Sequence, residues 1–396
     1  MIRKVGRSMA DIAADERLLS ILQDLIRIRS CEPGWDELDV VRYLESLFAP
    51  FSVQKNIIHH GANRASMVIS LEGKARSGRK LALMGHVDTM SPYDPGNWTY
   101  GPFSGHLADN KVYGIGSSNA KSGVAAMTYA ALKILESGQQ PEHDTLLCFT
   151  ADSDGEGMGA KSLLRGGFLN GVTELMFCDP TGSDIGAAQK GALWLDVSVK
   201  GHSRHIMESK QSVNALSCIQ KFTEKLSGQF KKISSHRILG DCSVFLTQIR
   251  THGNAIWMIP GFVTGRIDVR VTPCIEIDFA KKIINDTKNM VEEGMPGSSL
   301  KINIINERAA VGMASDAPLI QNIQKLCRKN GRNPKIIGQT FYTDASTLVP
   351  ELGVPFVIIG PGGKIFNDRE DENVSLADLS FVSQVYFDFM KGVVPE

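Results

Sequence analysis

Apolar positions along the chain follow two patterns that predict different elements. Short apolar runs between turn residues predict buried strands at residues 65–71, 80–84, 145–150 and 174–178. Apolar residues spaced three or four apart predict helices at residues 15–29, 37–47, 121–137 and 159–164. Strands that alternate with helices favour a largely parallel sheet.

The pattern changes near residue 190. Alternation predicts strands at 191–201, 242–251, 262–272 and 300–305, and helical spacing predicts helices at 212–230 and 277–293. This βαββαβ order is the ferredoxin-like pattern. The α/β pattern returns at 318–330, 354–360 and 375–390. We therefore expect an α/β fold in which one domain (1–189 and 306–396), with a mostly parallel sheet, is split by an inserted ferredoxin-like α+β domain (190–305).

Composition excludes several classes of protein. The chain is 42% hydrophobic and 22% charged, with zero net charge and no basic stripe, so nucleic acid is not an expected partner. No apolar run approaches the roughly 18 residues that span a membrane, and the N-terminal residues lack the apolar core of a secretory signal. Seven scattered cysteines without a CxxC motif predict reduced thiols and a cytoplasmic location.

The strand at 80–84 leads into Gly85, His86 and Asp88. In open α/β sheets ligands bind beyond the carboxyl ends of the strands. An imidazole there suits a metal ion, and a carboxylate two residues on suits orienting the ring. An HxD pair alone is weakly specific, so the motifs that follow it decide its meaning.

Those motifs resemble a known enzyme family. They are the GHVD at 85–88, Trp98 with Pro102 and Phe103, the VYGIG at 112–116 and the KSG at 121–123. They are similar to the GHxDxVP, WxxxPF and GxxYGRGxxDMKGG motifs of the zinc-dependent deacylases and exopeptidases that include acetylornithine deacetylase, succinyl-diaminopimelate desuccinylase, aminoacylase and glutamate carboxypeptidase. The resemblance extends over nearly the whole chain, and it implies a catalytic domain split by a lid that commonly dimerises.

The resemblance also implies two metal sites, which this chain retains only in part. His86 and Asp179 match ligands of the first metal, but the family's bridging aspartate is Asn119 here. A neutral amide offsets the repulsion between two metal ions far less than a carboxylate does.

The CFTADSDGEGMG segment at 148–159 aligns Ser153 with the family's general base, a glutamate, and Asp154 with a metal ligand. A serine hydroxyl has no accessible pKa near neutrality, so Ser153 cannot replace that base; Glu156 could serve only if the turn were rearranged. The family's last ligand, a histidine in the tail, aligns with Asp368, and no histidine follows His252.

Four further positions match the family's substrate-side motifs. His205 matches the histidine of GxAxH, which in the family reaches the partner subunit's active site and stabilises the oxyanion. Trp257 replaces a substrate-binding asparagine, Arg270 lies in a DxR motif, and Asp344 lies in a TDA motif. The predicted catalytic residues are His86, Asp88, Ser153 and His205. The predicted substrate-binding residues are Asn119, Trp257, Arg270 and Asp344. The predicted ligands of a weak or absent metal are His86, Asp154, Asp179 and Asp368.

Three functions stay open from the sequence. The first is an enzyme acting on an amino-acid-derived small molecule with an eroded two-zinc site, working by acyl transfer, condensation, cyclisation or elimination. His86, paired with Asp88 and little affected by metal, would then be a general acid–base. The second is a metal-dependent amidohydrolase, an N-acyl amino acid deacylase or carboxypeptidase, with a weak or mononuclear metal site. The third is a non-catalytic binding homologue.

For cofactors we expect none, or one weakly bound divalent ion (Zn, Mn or Mg), and not two zinc ions. For partners we expect a small amino-acid-like substrate and a homodimer through the lid, without nucleic acid or membrane.

Overall fold

The structure is a computed structural model that describes residues 9–31, 36–92, 94–253, 255–363 and 370–393. Its helices are α1 (Met9–Arg27), α2 (Glu37–Leu47), α3 (Lys121–Glu136), α4 (Met158–Arg165), α5 (Ala215–Phe230), α6 (Ile277–Gly294), α7 (Pro318–Lys329), α8 (Ala345–Leu352) and α9 (Leu376–Met390). Its strands are β1 (Gln54–His59), β2 (Ala65–Leu71), β3 (Lys80–His86), β4 (His106–Ala108), β5 (Lys111–Tyr113), β6 (Asp144–Thr150), β7 (Glu174–Phe177), β8 (Ile185–Gln189), β9 (Gly191–Lys200), β10 (Ser243–Thr251), β11 (Phe262–Val271), β12 (Ser299–Arg308), β13 (Val311–Gly312), β14 (Ile336–Gln339), β15 (Phe356–Ile358) and β16 (Asn373–Ser375).

The chain divides into two compact units. The first contains Met1–Ala187, Met313–Ile337 and Thr343–Glu396, and the second contains Ala188–Gly312 and Gly338–Tyr342. The sequence predicts domain borders at 189/190 and 305/306, and these borders stay a prediction.

A mostly parallel sheet forms the centre of the first unit. Its order there is β1-β2-β6-β3-β7-β15-β8, and β6, β3, β7 and β15 run parallel. After its first residue, each of β3, β6 and β7 is buried throughout, as expected for strands covered on both faces. The predicted α/β fold with a mostly parallel sheet is confirmed.

Helix α3 packs against α1 and α9 and contacts β3 and β6. Small residues make this close approach possible. A Cβ atom on Gly123 would lie 1.8 Å from the carbonyl oxygen of Cys178, the residue that follows β7. Glycine at this position therefore lets the first turn of α3 touch the end of a central strand.

The second unit is a four-stranded antiparallel sheet with two helices. Its order, β10-β11-β9-β12, and its sequence order β9-α5-β10-β11-α6-β12 are those of the predicted ferredoxin-like pattern. Buried and partly exposed residues alternate along β9 and β11, so one face of the sheet is covered. The apolar core between this face and the helices includes Leu195, Val197, Phe222, Ile267 and Ile284.

Helix α5 begins at Ala215, three residues later than predicted. The side chain of Asn214 accepts hydrogen bonds from the backbone N–H groups of Leu216 and Ser217, which fixes the start of the helix. No helix within the described ranges is long and apolar enough to cross a membrane.

Candidate active site

The carboxyl ends of three neighbouring strands of the first unit carry the candidate active site. Strand β3 ends at His86, Asp154 lies in the turn after β6, and Asp179 follows β7. Because β6, β3 and β7 are adjacent and parallel, these side chains meet at one edge of the sheet. The structure thus brings together residues that the sequence assigned to the metal site.

His86 is buried at the centre of this cluster. Its Nδ1 lies 3.0 Å from the backbone oxygen of Asp88 and 3.3 Å from Asp88 Oδ1. Its Nε2 lies 3.1 Å from Asn119 Oδ1 and 3.8 Å from Asp179 Oδ1. Asp88 therefore orients the ring from one side, and the other ring nitrogen faces the predicted ligands.

The carboxylate of Asp88 also fixes the turn after β6. Its two oxygens accept hydrogen bonds from the backbone N–H groups of Ser153 and Asp154, each at 3.1 Å. One buried side chain thus connects His86 to the segment that carries Asp154.

Carboxylates dominate the electrostatics of the site. Burial disfavours the charged imidazolium, but the carboxylates, with Asp88 first, outweigh it and raise the pKa of His86 well above its usual value. Burial raises the pKa of Asp179 to about 7, although His86 opposes this shift. The shift of His86 shows that the surrounding carboxylates stabilise positive charge at this position, whereas the shift of Asp179 comes mainly from burial.

Ser153 and Asp344 are buried next to each other. The hydroxyl of Ser153 donates a hydrogen bond to Asp344 Oδ1 at 2.9 Å, and the hydroxyl of Thr150 donates to Asp344 Oδ2 at 2.6 Å. The position that aligns with the family's general base therefore holds a hydroxyl backed by a carboxylate.

Glu372 is a supporting residue that the sequence reasoning did not assign to the site. Its carboxylate accepts hydrogen bonds from the backbone N–H groups of Ser118 (2.7 Å), Asn119 (3.1 Å) and Gly116 (3.2 Å). Burial raises its pKa to about 7. Glu372 thereby fixes the loop that presents Asn119.

Three predicted residues lie in the second unit. His205 is exposed, and its Nδ1 accepts a hydrogen bond from the backbone N–H of Met207. Trp257 is 53% exposed, and Arg270 forms a bidentate ion pair with Asp268. Their predicted catalytic and substrate-binding roles stay predictions, as does the predicted ligand role of Asp368, which lies outside the described residues.

The donor set offers a candidate site for a divalent ion. Ligand atoms of His86, Asp88 and Asp154 lie within 4.8 Å of one another. Because both oxygens of Asp88 accept backbone hydrogen bonds, we assign Asp88 to orienting His86. Asp179 Oδ1 lies 3.8 Å from His86 Nε2, so the candidate ligands are the imidazole of His86 and the carboxylates of Asp154 and Asp179; three protein ligands are typical of a catalytic metal site.

The bridging position of the two-metal site that the resemblance implies differs in this chain. The position that would bridge two ions holds the neutral amide of Asn119, whose Oδ1 faces His86 Nε2. Within the described residues, the site offers no second histidine beside Asp154.

Comparison with known proteins identifies the fold around this site. The model of peptidase family M20/M25/M40 matches residues 82–392. The chain belongs to this family. The predicted family resemblance is therefore confirmed, and the M20 chain is peptidase- or deacylase-like.

Among its M20 relatives, a probable succinyl-diaminopimelate desuccinylase from Staphylococcus epidermidis is 25% identical over 96% of this chain and 98% of its own length. A tripeptidase from Staphylococcus aureus has a TM-score of 0.78 at 17% identity, covering 96% of this chain and 98% of that chain. A dinuclear metal-binding M20 peptidase from Bacillus subtilis has a TM-score of 0.70 at 14% identity, covering 97% and 99%. The solved structures share the fold of this chain, and membership of a peptidase family favours the hydrolytic alternative over the non-hydrolytic interpretation.

Proposed function

We propose that this M20 chain hydrolyses an amide bond in a small amino-acid-derived substrate, an N-acyl amino acid or a short peptide, with one divalent metal ion. The observation that carries the proposal is the approach of two carboxylates to His86 at the carboxyl ends of β3, β6 and β7. Ligand atoms of His86 and Asp154 lie within 4.8 Å of each other, and Asp179 Oδ1 lies 3.8 Å from His86 Nε2. The substrate class follows from the relatives, which include a desuccinylase and a tripeptidase.

His86, Asp154 and Asp179 would hold the ion. A bound divalent ion supplies a positive charge that polarises a carbonyl oxygen. Asp88 keeps the Nε2 of His86 turned toward the ligands, because it lies against Nδ1. The carboxylate and imidazole donors accommodate Zn or Mn, and the high oxygen content accommodates Mg.

We assign proton transfer to Ser153 and Asp344. As the attacking water loses a proton to Ser153 Oγ, the hydroxyl proton of Ser153 passes to Asp344 Oδ1, with which it is already hydrogen-bonded. The water oxygen forms the new bond to the carbonyl carbon. When the C–N bond breaks, the proton returns by the same path to the leaving amine nitrogen.

We also propose a homodimer through the second unit and a cytoplasmic location. Strand β10 is an edge strand and exposes Phe245 (58%) and Ile249 (45%), which supports pairing with another copy. The seven cysteines are all free thiols, which supports a reducing compartment.

The proposed function is tested with metal-stripped protein reloaded with Zn²⁺, Mn²⁺ or Mg²⁺. Each form is incubated in H₂¹⁸O with N-succinyl and N-acetyl amino acids and with di- and tripeptides, and both amine release and ¹⁸O in the released acid are measured. Hydrolysis predicts one ¹⁸O in the new carboxylate. Acyl transfer to an added amine without ¹⁸O would establish the non-hydrolytic reaction instead, and no product with any substrate would favour a binding homologue.

A further inference from the structure

Asp152 joins strand β6 to Ser153 and Asp154, and its backbone has a φ of +62°. Few residues other than glycine adopt this left-handed conformation, so it persists where neighbouring groups hold it. The conformation matters here because it sets the direction in which the chain leaves the sheet immediately before Asp154.

The side chain of Asp152 stabilises the turn from within. Its Oδ2 accepts hydrogen bonds from the backbone N–H groups of Glu156 (2.9 Å) and Met158 (3.2 Å). These bonds close the turn. They do not connect the turn to the rest of the unit, so other groups must do so.

Glu37 and Arg64 provide that attachment. Glu37 Oε1 accepts a hydrogen bond from the backbone N–H of Asp152 at 3.2 Å, and Arg64 Nη2 donates to Asp152 Oδ1 at 3.0 Å. Arg64 also holds Glu37 through two bonds of 2.7 Å, from Nε and from Nη2. The side chain of Glu37 is fully buried and that of Arg64 is 19% exposed. A planar guanidinium thus connects two carboxylates in one fixed geometry.

The contacts continue from this ion-pair network to His86. The two residues after Asp152 donate their backbone N–H groups to Asp88, and Asp88 lies against His86 Nδ1. A change in the backbone at Asp152 therefore moves Asp154 and the support of His86 together.

We propose that Glu37 and Arg64 are positioning residues for the metal site, because they hold Asp152 in the conformation that places Asp154 beside His86. The inference rests on the proposed function, since it concerns the geometry of the proposed metal ligands. Neither residue is among the proposed metal ligands, so both act through their contacts with Asp152.

The test is a Co²⁺ titration of the metal-stripped full-length chain, followed by the visible absorption of the ion. Arg64→Met should weaken Co²⁺ binding by roughly 10- to 100-fold and alter the intensity of the absorption bands, as loss of a supporting contact behind a ligand does elsewhere. Arg64→Lys keeps the charge but loses the planar fork, so it should recover only part of the binding.

The double variant Glu37→Met with Arg64→Met removes both members of this ion pair, so Glu37 does not remain as a buried carboxylate without its arginine. Asp152 loses its arginine but keeps the backbone hydrogen bonds from Glu156 and Met158. The double variant should fold and still bind Co²⁺ weakly. Arg76→Met is the matched control, because Arg76 is exposed and pairs with Glu72. Glu72 directly follows strand β2, and Arg64 directly precedes it. Ile323→Ala, in the buried face of α7, controls for lowered stability alone.

The inference would be overturned if Arg64→Met and the double variant both kept the Co²⁺ affinity and absorption of the wild type while their melting temperatures fell as in Ile323→Ala. The proposed function would still stand in that case. Failure of the wild-type chain to bind Co²⁺ would overturn the metal-dependent function and, with it, the positioning role.

Discussion

At the scale of single residues, the proximity of His86, Asp154 and Asp179 could be predicted from the sequence, because each lies at or shortly after the end of a buried strand. Their roles as metal ligands stay a proposal. The network of Glu37, Arg64 and Asp152 could not be predicted. Glu37 and Asp152 lie 27 and 88 positions from Arg64 in the sequence, and no regular spacing connects the three.

The first prediction concerns proton transfer through Ser153. Ser153→Ala and Asp344→Asn should each lower kcat by roughly 100- to 10,000-fold, because each interrupts the same path, and the double variant should be little worse than either. Steady-state kinetics on the best substrate measures this. Thr150→Ser keeps the hydroxyl on the other oxygen of Asp344 and should stay near wild type. Full activity in Ser153→Ala would remove the relay.

The second prediction is that metal binding strengthens as pH rises. Metal ligands bind in their deprotonated form. The pKa of His86 is well above its usual value and that of Asp179 is about 7, so protons compete with the ion at and below neutral pH. Apparent affinity should therefore increase from about pH 6 to about pH 8. Calorimetry in buffers of different ionisation enthalpy should record proton release; affinity independent of pH would contradict the ligand assignment.

At the scale of elements, apolar runs located the central strands well, because burial on both faces leaves few polar residues in them. Strand β3 nevertheless continues to His86, two residues past its predicted end, since backbone pairing with β6 extends to Thr150. Strand β1 was missed because its residues are mostly partly exposed and do not alternate. Pairing with β2 along its whole length, rather than its own pattern, makes it a strand.

The third prediction concerns the contact between α3 and the end of β7. Gly123→Ala should destabilise the chain by about 1–3 kcal/mol or more, because the new Cβ would overlap the carbonyl oxygen of Cys178. Gly228→Ala, also inside a helix but with open space around it, should stabilise by up to about 1 kcal/mol. Chemical denaturation compares the two. Equal effects would show that α3 can move away from β7 without cost.

At the scale of the whole molecule, the order of elements predicted an α/β chain with a ferredoxin-like insertion, and the motifs, not the order, predicted the family. The β9-α5-β10-β11-α6-β12 sequence order allows few sheet topologies, and the observed strand order is the expected one. The oligomeric state is harder to predict from the sequence. An edge strand has the same pattern of apolar and polar residues whether or not another copy of the chain covers it.

The fourth prediction is a homodimer at micromolar concentration, measured by light scattering. Phe245→Asp together with Ile249→Asp should shift it to a monomer, since both side chains are exposed on edge strand β10 and charges there oppose pairing. Leu107→Asp, an exposed apolar position in the first unit, should leave the dimer intact. A wild-type chain that is already monomeric would refute the proposed assembly.

We propose that this M20 site holds one divalent ion through His86, Asp154 and Asp179. Native mass spectrometry of zinc-reconstituted, desalted protein counts the bound ions. We expect one zinc ion per chain, its loss in Asp179→Asn, and occupancy above one in Asn119→Asp, where a carboxylate replaces the amide that faces His86. Two tightly bound zinc ions in the wild-type chain, or one ion retained unchanged in Asp179→Asn, would contradict this proposal.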